Sequence, residues 1–164
     1  MRAVSIAFAA LVAVPVFAGV GCKPDLIPGT SVEDNEANRK VLEFLGRYQQ
    51  AMEAKDAEGV VQLCAADYYE TNGNTDPLDD YNLDGLRTKL QEHFKRTKEI
   101  SLEVYVQTVQ PDMNDTIAVV YRYNTRALVE FPSAPKWLTA TEVNKVRLRA
   151  VEGDEAGYRI VSGL

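Results

Sequence analysis

Clustered positive charge is scarce in this 164-residue chain, which has 18 Lys and Arg against 24 Asp and Glu and a formal net charge of −6. Binding to nucleic-acid phosphates requires clustered cations, so the composition argues against a nucleic-acid partner. The sequence also lacks a glycine-rich phosphate-binding loop, a zinc signature and a GxSxG motif. We therefore predict neither a metal site nor a cofactor.

Cysteine and histidine are also scarce. The two cysteines stand in different contexts, Cys22 just after an apolar leader and Cys64 in a predicted buried helix. This spacing supports neither a zinc site nor a disulfide framework. Cys64 is interpreted as a small buried hydrophobic residue, and a Cys22–Cys64 bridge is the alternative. His93 is the only histidine, and a single histidine cannot build a metal site.

Residues 1–21 have the pattern of an export signal. Arg2 is followed by an apolar run from Ala3 to Ala18, which a serine and Pro15 interrupt, and then by small residues before Cys22. The run is short for a transmembrane helix and Pro15 would disturb one, which disfavours an uncleaved anchor.

The end of this leader, Gly19-Val20-Gly21-Cys22, resembles the lipobox of bacterial lipoproteins, with Gly19 where that motif usually has leucine. The resemblance implies an exported protein, cut before Cys22 and anchored to the membrane of the bacterial cell envelope by lipid on that cysteine. Ordinary signal cleavage after Ala18 is the alternative. Residues 22–38 contain two prolines and a glycine without a sustained period, which predicts a flexible linker to the domain.

Residues 39–164 are predicted to form one α+β domain. Apolar residues recur at helical spacing from Val41 to Met52, which predicts a first helix ending near Lys55, and Asp56 is placed to cap a second helix. A third helix is predicted after a polar loop, with Asp84 as its cap. From Ile100 the period changes to 2, which indicates four antiparallel strands. Because the helices precede the sheet, we expect helices packed on an antiparallel sheet.

This order of elements is similar to that of the NTF2-like (SnoaL-like) family. The resemblance covers roughly Ala37 to Leu164 and is clearest at Arg47-Tyr48, Lys55-Asp56, Gly59-Val60-Val61, Leu63 and the closing Tyr158-Arg-Ile-Val-Ser. It implies a curved sheet, the cone of that fold, with a pocket between the first and third helices and the concave face. It implies no single activity, because the family mixes isomerases, dehydratases, hydrolases, binding domains and proteins without catalysis.

The ketosteroid isomerases of this family give the sharpest comparison for the pocket. Their oxyanion-stabilising tyrosine matches Tyr48, their base aspartate falls at Asn72, and their second oxyanion donor, a protonated aspartate, falls near Asn144. An amide cannot take up a proton at any useful pH, so two positions of that machinery are unsuited to proton transfer.

A residue is a candidate for the pocket if it lies on the inner face of a helix or if it has the same strand parity as apolar neighbours. A residue that follows a loop able to cover the pocket mouth is also a candidate. The candidate pocket residues are Tyr48, His93, Tyr121, Tyr123, Asn144 and Trp137. The candidate catalytic residues are Tyr48 as donor and Glu70, Asp67 or His93 as base. For Tyr48, His93 and Trp137 a plain packing role is the alternative.

The sequence supports three functional hypotheses. The first is an envelope lipoprotein whose non-catalytic domain binds a small apolar ligand or a protein partner, because amides stand where carboxylates would work. The second is an isomerase- or dehydratase-type enzyme of the same family. The third is a structural or interaction domain whose cone is filled by side chains. Under this third hypothesis the domain makes its contacts through the sheet, and a second copy of the chain, forming a homodimer, is one possible partner.

Overall fold

A computed structural model describes residues 24–154 and 157–164, so the predicted leader and Cys22 lie outside the described residues. None of the described helices combines the length and the apolar character needed to cross a membrane. The elements of the described part are α1 (Glu36–Glu53), α2 (Ala57–Gln62), β1 (Tyr69–Glu70), β2 (Tyr81–Asn82), α3 (Leu83–Arg96), β3 (Thr97–Pro111), β4 (Thr116–Val129), β5 (Lys136–Ala150) and β6 (Tyr158–Ser162).

The corner between α1 and α2 confirms the sequence prediction. α1 ends at Glu53, and Lys55 turns the chain with a positive φ of 54°. Asp56 then caps α2, because its carboxylate accepts the Gly59 N–H at 2.8 Å. This bond satisfies one of the backbone donors that the first turn of a helix leaves without a partner.

Replacing Asp56 by alanine removes this cap, and we expect the free energy of unfolding to fall by about 1 kcal/mol. The control is Asp56→Asn, which keeps a side-chain oxygen that can accept the Gly59 N–H and should cost much less. Urea unfolding followed by circular dichroism at pH 7 measures both variants. Equal losses for the two would show that the bond to Gly59 does not stabilise α2.

α3 begins earlier than the sequence predicts. The N-cap is Asn82 rather than Asp84, and its side-chain oxygen accepts the Gly85 N–H at 3.1 Å. Asp84 lies instead in the first turn and forms an ion pair with Arg87. The early start follows from β2, which pairs with β1 in a two-stranded ladder absent from the sequence prediction.

The strands β3 to β6 form one antiparallel sheet in chain order, as predicted. The β4–β5 pairing runs without a break from Thr116–Arg149 to Val129–Lys136. The β3–β4 pairing shifts register after Thr97 and after Val106, and such irregularities bend and twist a sheet. The predicted start of β5, at Val143, is wrong because the strand begins at Lys136 with exposed residues that show no apolar alternation.

The core lies between α1, α2 and the sheet. The largest fully buried side chains are Tyr68, Phe44, Leu148, Ile160, Val41, Val60, Val119 and Val146. Cys64 is buried in the same region, where its thiol donates to the Val60 carbonyl oxygen at 3.4 Å. Burial raises the pKa of this thiol to about 12, in agreement with a packing role. The alternative bridge involves Cys22, outside the described residues, and stays a prediction.

The segment just before α1 is packed on the domain, which corrects the predicted linker over the part that the structure describes, residues 24–35. Val32 is buried in the core, and the Ser31 N–H donates to the Val106 carbonyl at 3.1 Å. The domain therefore includes this segment and begins before residue 39. Sequence periodicity missed the contact because Val32 is a single buried residue between polar neighbours.

Candidate functional site

A cavity of about 590 Å³ lies between α1, α3 and the concave face of the sheet. Its volume falls in the range of about 300–1,000 Å³ that is usual for small-molecule sites. The lining consists of Tyr48, Met52, His93, Ile100, Leu102, Tyr121, Tyr123, Thr125, Ala127, Val129, Leu138, Thr139, Ala140, Asn144 and Leu164. The hypothesis of a cone filled by side chains is therefore wrong.

Three polar residues of the lining form a cluster. The Asn144 amide Nδ2 donates to the Tyr121 hydroxyl at 3.3 Å and to the Gly163 carbonyl at 2.9 Å, and the Tyr48 phenol lies near the Tyr121 hydroxyl. Burial, together with the neighbouring phenols, raises the pKa of Tyr48 well above its ordinary value. Tyr48 therefore stays a neutral phenol at physiological pH, able to donate a hydrogen bond to a ligand.

A second polar contact joins Tyr123 to Glu142, which sequence analysis missed. The Tyr123 hydroxyl donates to Glu142 Oε2 at 2.7 Å. Burial and the Glu142 carboxylate raise the pKa of Tyr123 to about 12. The two residues are paired across β4 and β5, so strand parity was a signal that could have found Glu142. Glu142 is exposed and is not part of the lining.

His93 lies on α3 and lines the cavity. Partial desolvation of the imidazole at the cavity wall, aided by the positive charge of Arg96, lowers the pKa of His93 below the ordinary value of 6.5. The side chain is therefore neutral near pH 7, and the cavity does not gain a positive charge from it.

We expect the His93 imidazole to titrate below pH 6.5, which proton NMR can follow because the chain has a single histidine. The folded state holds this proton less tightly than the unfolded state, so stability falls as the pH drops from about 6.5 towards the folded pKa. Above that window His93 contributes no pH dependence. His93→Gln should flatten this part of the stability profile. A midpoint at or above that of the urea-unfolded chain would contradict the burial.

Comparisons with known proteins bear on the fold. No family model and no curated protein matches the sequence, but solved structures do. A conserved protein from Planctomyces limnophilus superposes with a TM-score of 0.64 at 8% identity, over 79% of this chain and 94% of that chain. A proposed dehydratase of the NTF2-like family from Streptomyces avermitilis gives 0.61 at 15% identity, over 77% of this chain and 92% of that chain.

The domain has the NTF2-like fold. A ketosteroid isomerase-like protein from Erwinia carotovora atroseptica also superposes, with a TM-score of 0.60 at 14% identity over 79% of this chain and 95% of that chain. At these identities the likeness shows the architecture alone, so the NTF2-like cavity of this chain has to be interpreted from its own residues.

The two acidic candidate bases do not line the NTF2-like cavity. The Asp67 carboxylate is held by the Arg149 guanidinium through two bonds of 3.0 Å, which lower the pKa of that carboxyl. The Glu70 carboxylate accepts backbone N–H groups of Asn72 and Gly163 and lies in a neighbouring polar pocket. In the part of the chain that the structure describes, no three His, Cys, Asp or Glu side chains are arranged to hold a metal ion.

Trp137 also lies outside the lining, whereas the other five predicted pocket residues belong to it. The early start of β5 places Trp137 within the strand, so its side chain alternates with that of Leu138, which lines the cavity. The Arg126 guanidinium carbon lies 4.2 Å from the centre of the Trp137 ring. The predicted role of Trp137 as a cover for the pocket mouth is therefore replaced by stacking on the opposite face of the sheet.

Proposed function

We propose that this domain binds a small, uncharged and largely apolar molecule in its NTF2-like cavity, without transforming it. The observation that carries this proposal is the character of the lining, whose described residues include no Asp, Glu, Lys or Arg. An ionised ligand would lose its hydration there without gaining a counter-charge, which is strongly unfavourable. An apolar ligand gains from the burial of its surface.

The cluster of Tyr48, Tyr121 and Asn144 supplies the polar recognition in this proposal. The Tyr48 and Tyr121 phenols can donate to a carbonyl or hydroxyl oxygen of the ligand. The Asn144 amide, whose two N–H groups are engaged by Tyr121 and Gly163, holds the Tyr121 hydroxyl in place. A ligand with one oxygen at one end of an apolar body would match both parts of the lining.

Several observations support binding without turnover. Proton transfer needs a group that gains and loses a proton near neutral pH, and the cavity tyrosines have raised pKa values. The isomerase base and second donor positions are the amides Asn72 and Asn144. Of the three candidate bases only His93 lines the cavity, so the isomerase or dehydratase alternative depends on this residue.

The location at the bacterial envelope is part of the proposal and is supported by the lipobox resemblance at Gly19 to Cys22. The Asp34 N–H donates to the Asp25 carbonyl at 2.7 Å, so the packed segment reaches back to Asp25. Only Lys23 and Pro24 then separate Cys22 from the packed domain, and the three steps from Cys22 to Asp25 span at most about 11 Å. A lipid on Cys22 would therefore hold the domain against the membrane surface.

The envelope anchor can be tested in cells. We expect the protein to fractionate with membranes, and intact-mass analysis should show a diacylated Cys22 as the first residue. Cys22→Ser should release the protein from the membrane fraction. An unmodified chain beginning at Gly19 would support ordinary cleavage after Ala18 and contradict lipidation.

Ligand charge can be tested by thermal unfolding with three twelve-carbon probes of equal length, 1-dodecanol, dodecanoate and dodecylamine, each below its micelle concentration. We expect the alcohol to raise the Tm by several degrees near saturation, because a ligand at 100 times its Kd adds about 2.7 kcal/mol of stability. The two ions should shift the Tm much less. Equal shifts for all three probes, or none, would contradict the proposal. Turnover of a ketone substrate that is lost in His93→Gln would support the enzymatic alternative.

A further inference from the structure

β5 carries an open backbone edge from Lys136 to Val143. Over this run it pairs with β4 alone, because β6 pairs with β5 no earlier than Arg147. In residues 24–154 and 157–164 no other strand or isolated bridge lies along this edge. Backbone N–H and C=O groups that point away from β4 therefore have no strand partner here, and every residue of the run is exposed.

This edge lacks most of the features that usually protect an exposed strand. Natural edge strands are shielded by proline, by bulges, by a covering element or by charged side chains such as lysine, and among these the described part of the chain supplies along this run only two charges, Lys136 and Glu142. The run Lys136–Val143 contains no proline, and its pairing with β4 has no bulge. It also exposes three large apolar side chains, those of Trp137, Leu138 and Val143. Such a strand is suited to pair with another strand.

We propose that this edge pairs with the same edge of a second copy, antiparallel about a two-fold axis through Thr139. In that register Lys136 of each copy lies directly opposite Glu142 of the other, which gives two opposite-charge pairs per dimer. Directly opposed residues of an antiparallel pair have neighbouring side chains on one face, where opposite charges stabilise the pairing. A closed two-fold contact of this kind joins the two four-stranded sheets into one and removes both open edges.

The register follows from the distribution of charge along the run. Lys136 and Glu142 are its only two charged residues, so only the pairing centred on Thr139 brings opposite charges together. Neither of them forms a salt bridge elsewhere in the described part of the chain: the Lys136 ammonium lies 5.6 Å from the Phe131 ring centre, and the Glu142 carboxylate accepts the Tyr123 hydroxyl. A charge pair across the interface would therefore replace no salt bridge that either residue makes within the described part of the chain.

The proposed interface adjoins the cavity. Leu138, Thr139 and Ala140 belong both to the open edge and to the cavity lining, so a second copy would cover the cavity wall that these residues form. The dimer itself depends only on the strand edge and its two charges. Its failure and the failure of ligand binding are therefore separate results.

Charge exchange tests the pairing directly. Sedimentation equilibrium at low salt, on the chain carrying Cys22→Ser, should give a dimer. Lys136→Glu and Glu142→Lys should each weaken it by about tenfold or more in Kd, because like charges then face each other twice. The double exchange should restore most of the affinity. Lys95→Glu, an exposed charge reversal on α3, is the matched control and should change nothing.

A monomer at all concentrations, single exchanges without effect, or a double exchange that does not restore the dimer would each overturn the proposal. Circular dichroism of every variant checks that the domain is folded.

Disulfide trapping tests the register. Thr139 faces its own counterpart across the proposed axis, where opposed Cβ atoms lie about 4.5–5.5 Å apart, so Thr139→Cys should cross-link the dimer under mild oxidation. Thr141→Cys is the matched control, because its counterpart would lie about 13 Å away along the strand. Cys64 is buried and should not interfere. Cross-linking at neither position, at both, or at residue 141 alone would overturn this register.

Discussion

Ala127→Phe is expected to abolish binding of an apolar ligand while the domain remains folded. Ala127 lies on β4 and lines the cavity with a side chain that is 9% exposed, so a phenyl ring at this position would occupy space that the ligand needs. Overlap of a ligand with a fixed side chain removes most of its contacts, and we expect the affinity to fall by about 100-fold or more. Stability should be unchanged or slightly higher, because the ring fills empty volume.

The control for this experiment is Ala118→Phe. Ala118 lies on the same strand with the opposite parity, opposite Arg147, so its side chain points away from the cavity. Fluorescence titration with N-phenyl-1-naphthylamine, an uncharged apolar probe, should show saturable binding for the natural chain and for Ala118→Phe. Retained binding in Ala127→Phe, or an equal loss in both variants, would mean that the probe does not bind in this cavity.

Phe44→Ala is expected to cause the largest loss of stability, about 3–5 kcal/mol. Phe44 on α1 is fully buried, and its ring packs edge-on against Tyr158 of β6 with ring centres 5.9 Å apart. Truncation removes this contact and leaves a hole between the helix and the sheet. The loss should appear as a lower urea midpoint with an unchanged slope.

Phe131→Ala serves as the comparison for Phe44→Ala. Phe131 is 41% exposed in the connection between β4 and β5, and surface substitutions of this kind usually change stability by within about 0.5 kcal/mol. Similar losses for the two variants would contradict the central position of Phe44 in the core.

Much of the fold could be predicted from periodicity and capping residues. The apolar stripe of α1, the Asp56 cap and the change of period near Ile100 are local signals, and each has a direct counterpart in the structure. The start of β5 could not be predicted in this way. Its first half is exposed on both faces, so Trp137 and Leu138 have no apolar alternation to show that they belong to a strand.

Part of the candidate site could be predicted from the alternation of side chains along the strands. Strand parity placed Tyr121, Tyr123 and Asn144 on the concave face, where the structure has them. Parity does not say which long-range partner a charged residue will find. The ion pair of Asp67 with Arg149 joins residues that are 82 positions apart in the chain, and it removes Asp67 from the candidate bases.

The cavity itself depends on side-chain size, which periodicity does not report. Alternation shows that a residue faces inward, but it does not show whether the inward space is filled. Thr125, Ala127 and Ala140 are small residues on the lining, and they leave open the volume that larger side chains would occupy. Sequence reasoning therefore predicted a pocket only through the family resemblance.

The central claim is that the NTF2-like cavity holds an uncharged, largely apolar molecule, and a crystal structure of the domain grown with 1-dodecanol tests it most directly. We predict the alkyl chain between α1 and the concave face of the sheet, with its hydroxyl within hydrogen-bond distance of the Tyr48 or Tyr121 hydroxyl. An empty cavity in those crystals, or alcohol bound only outside it, would contradict the account.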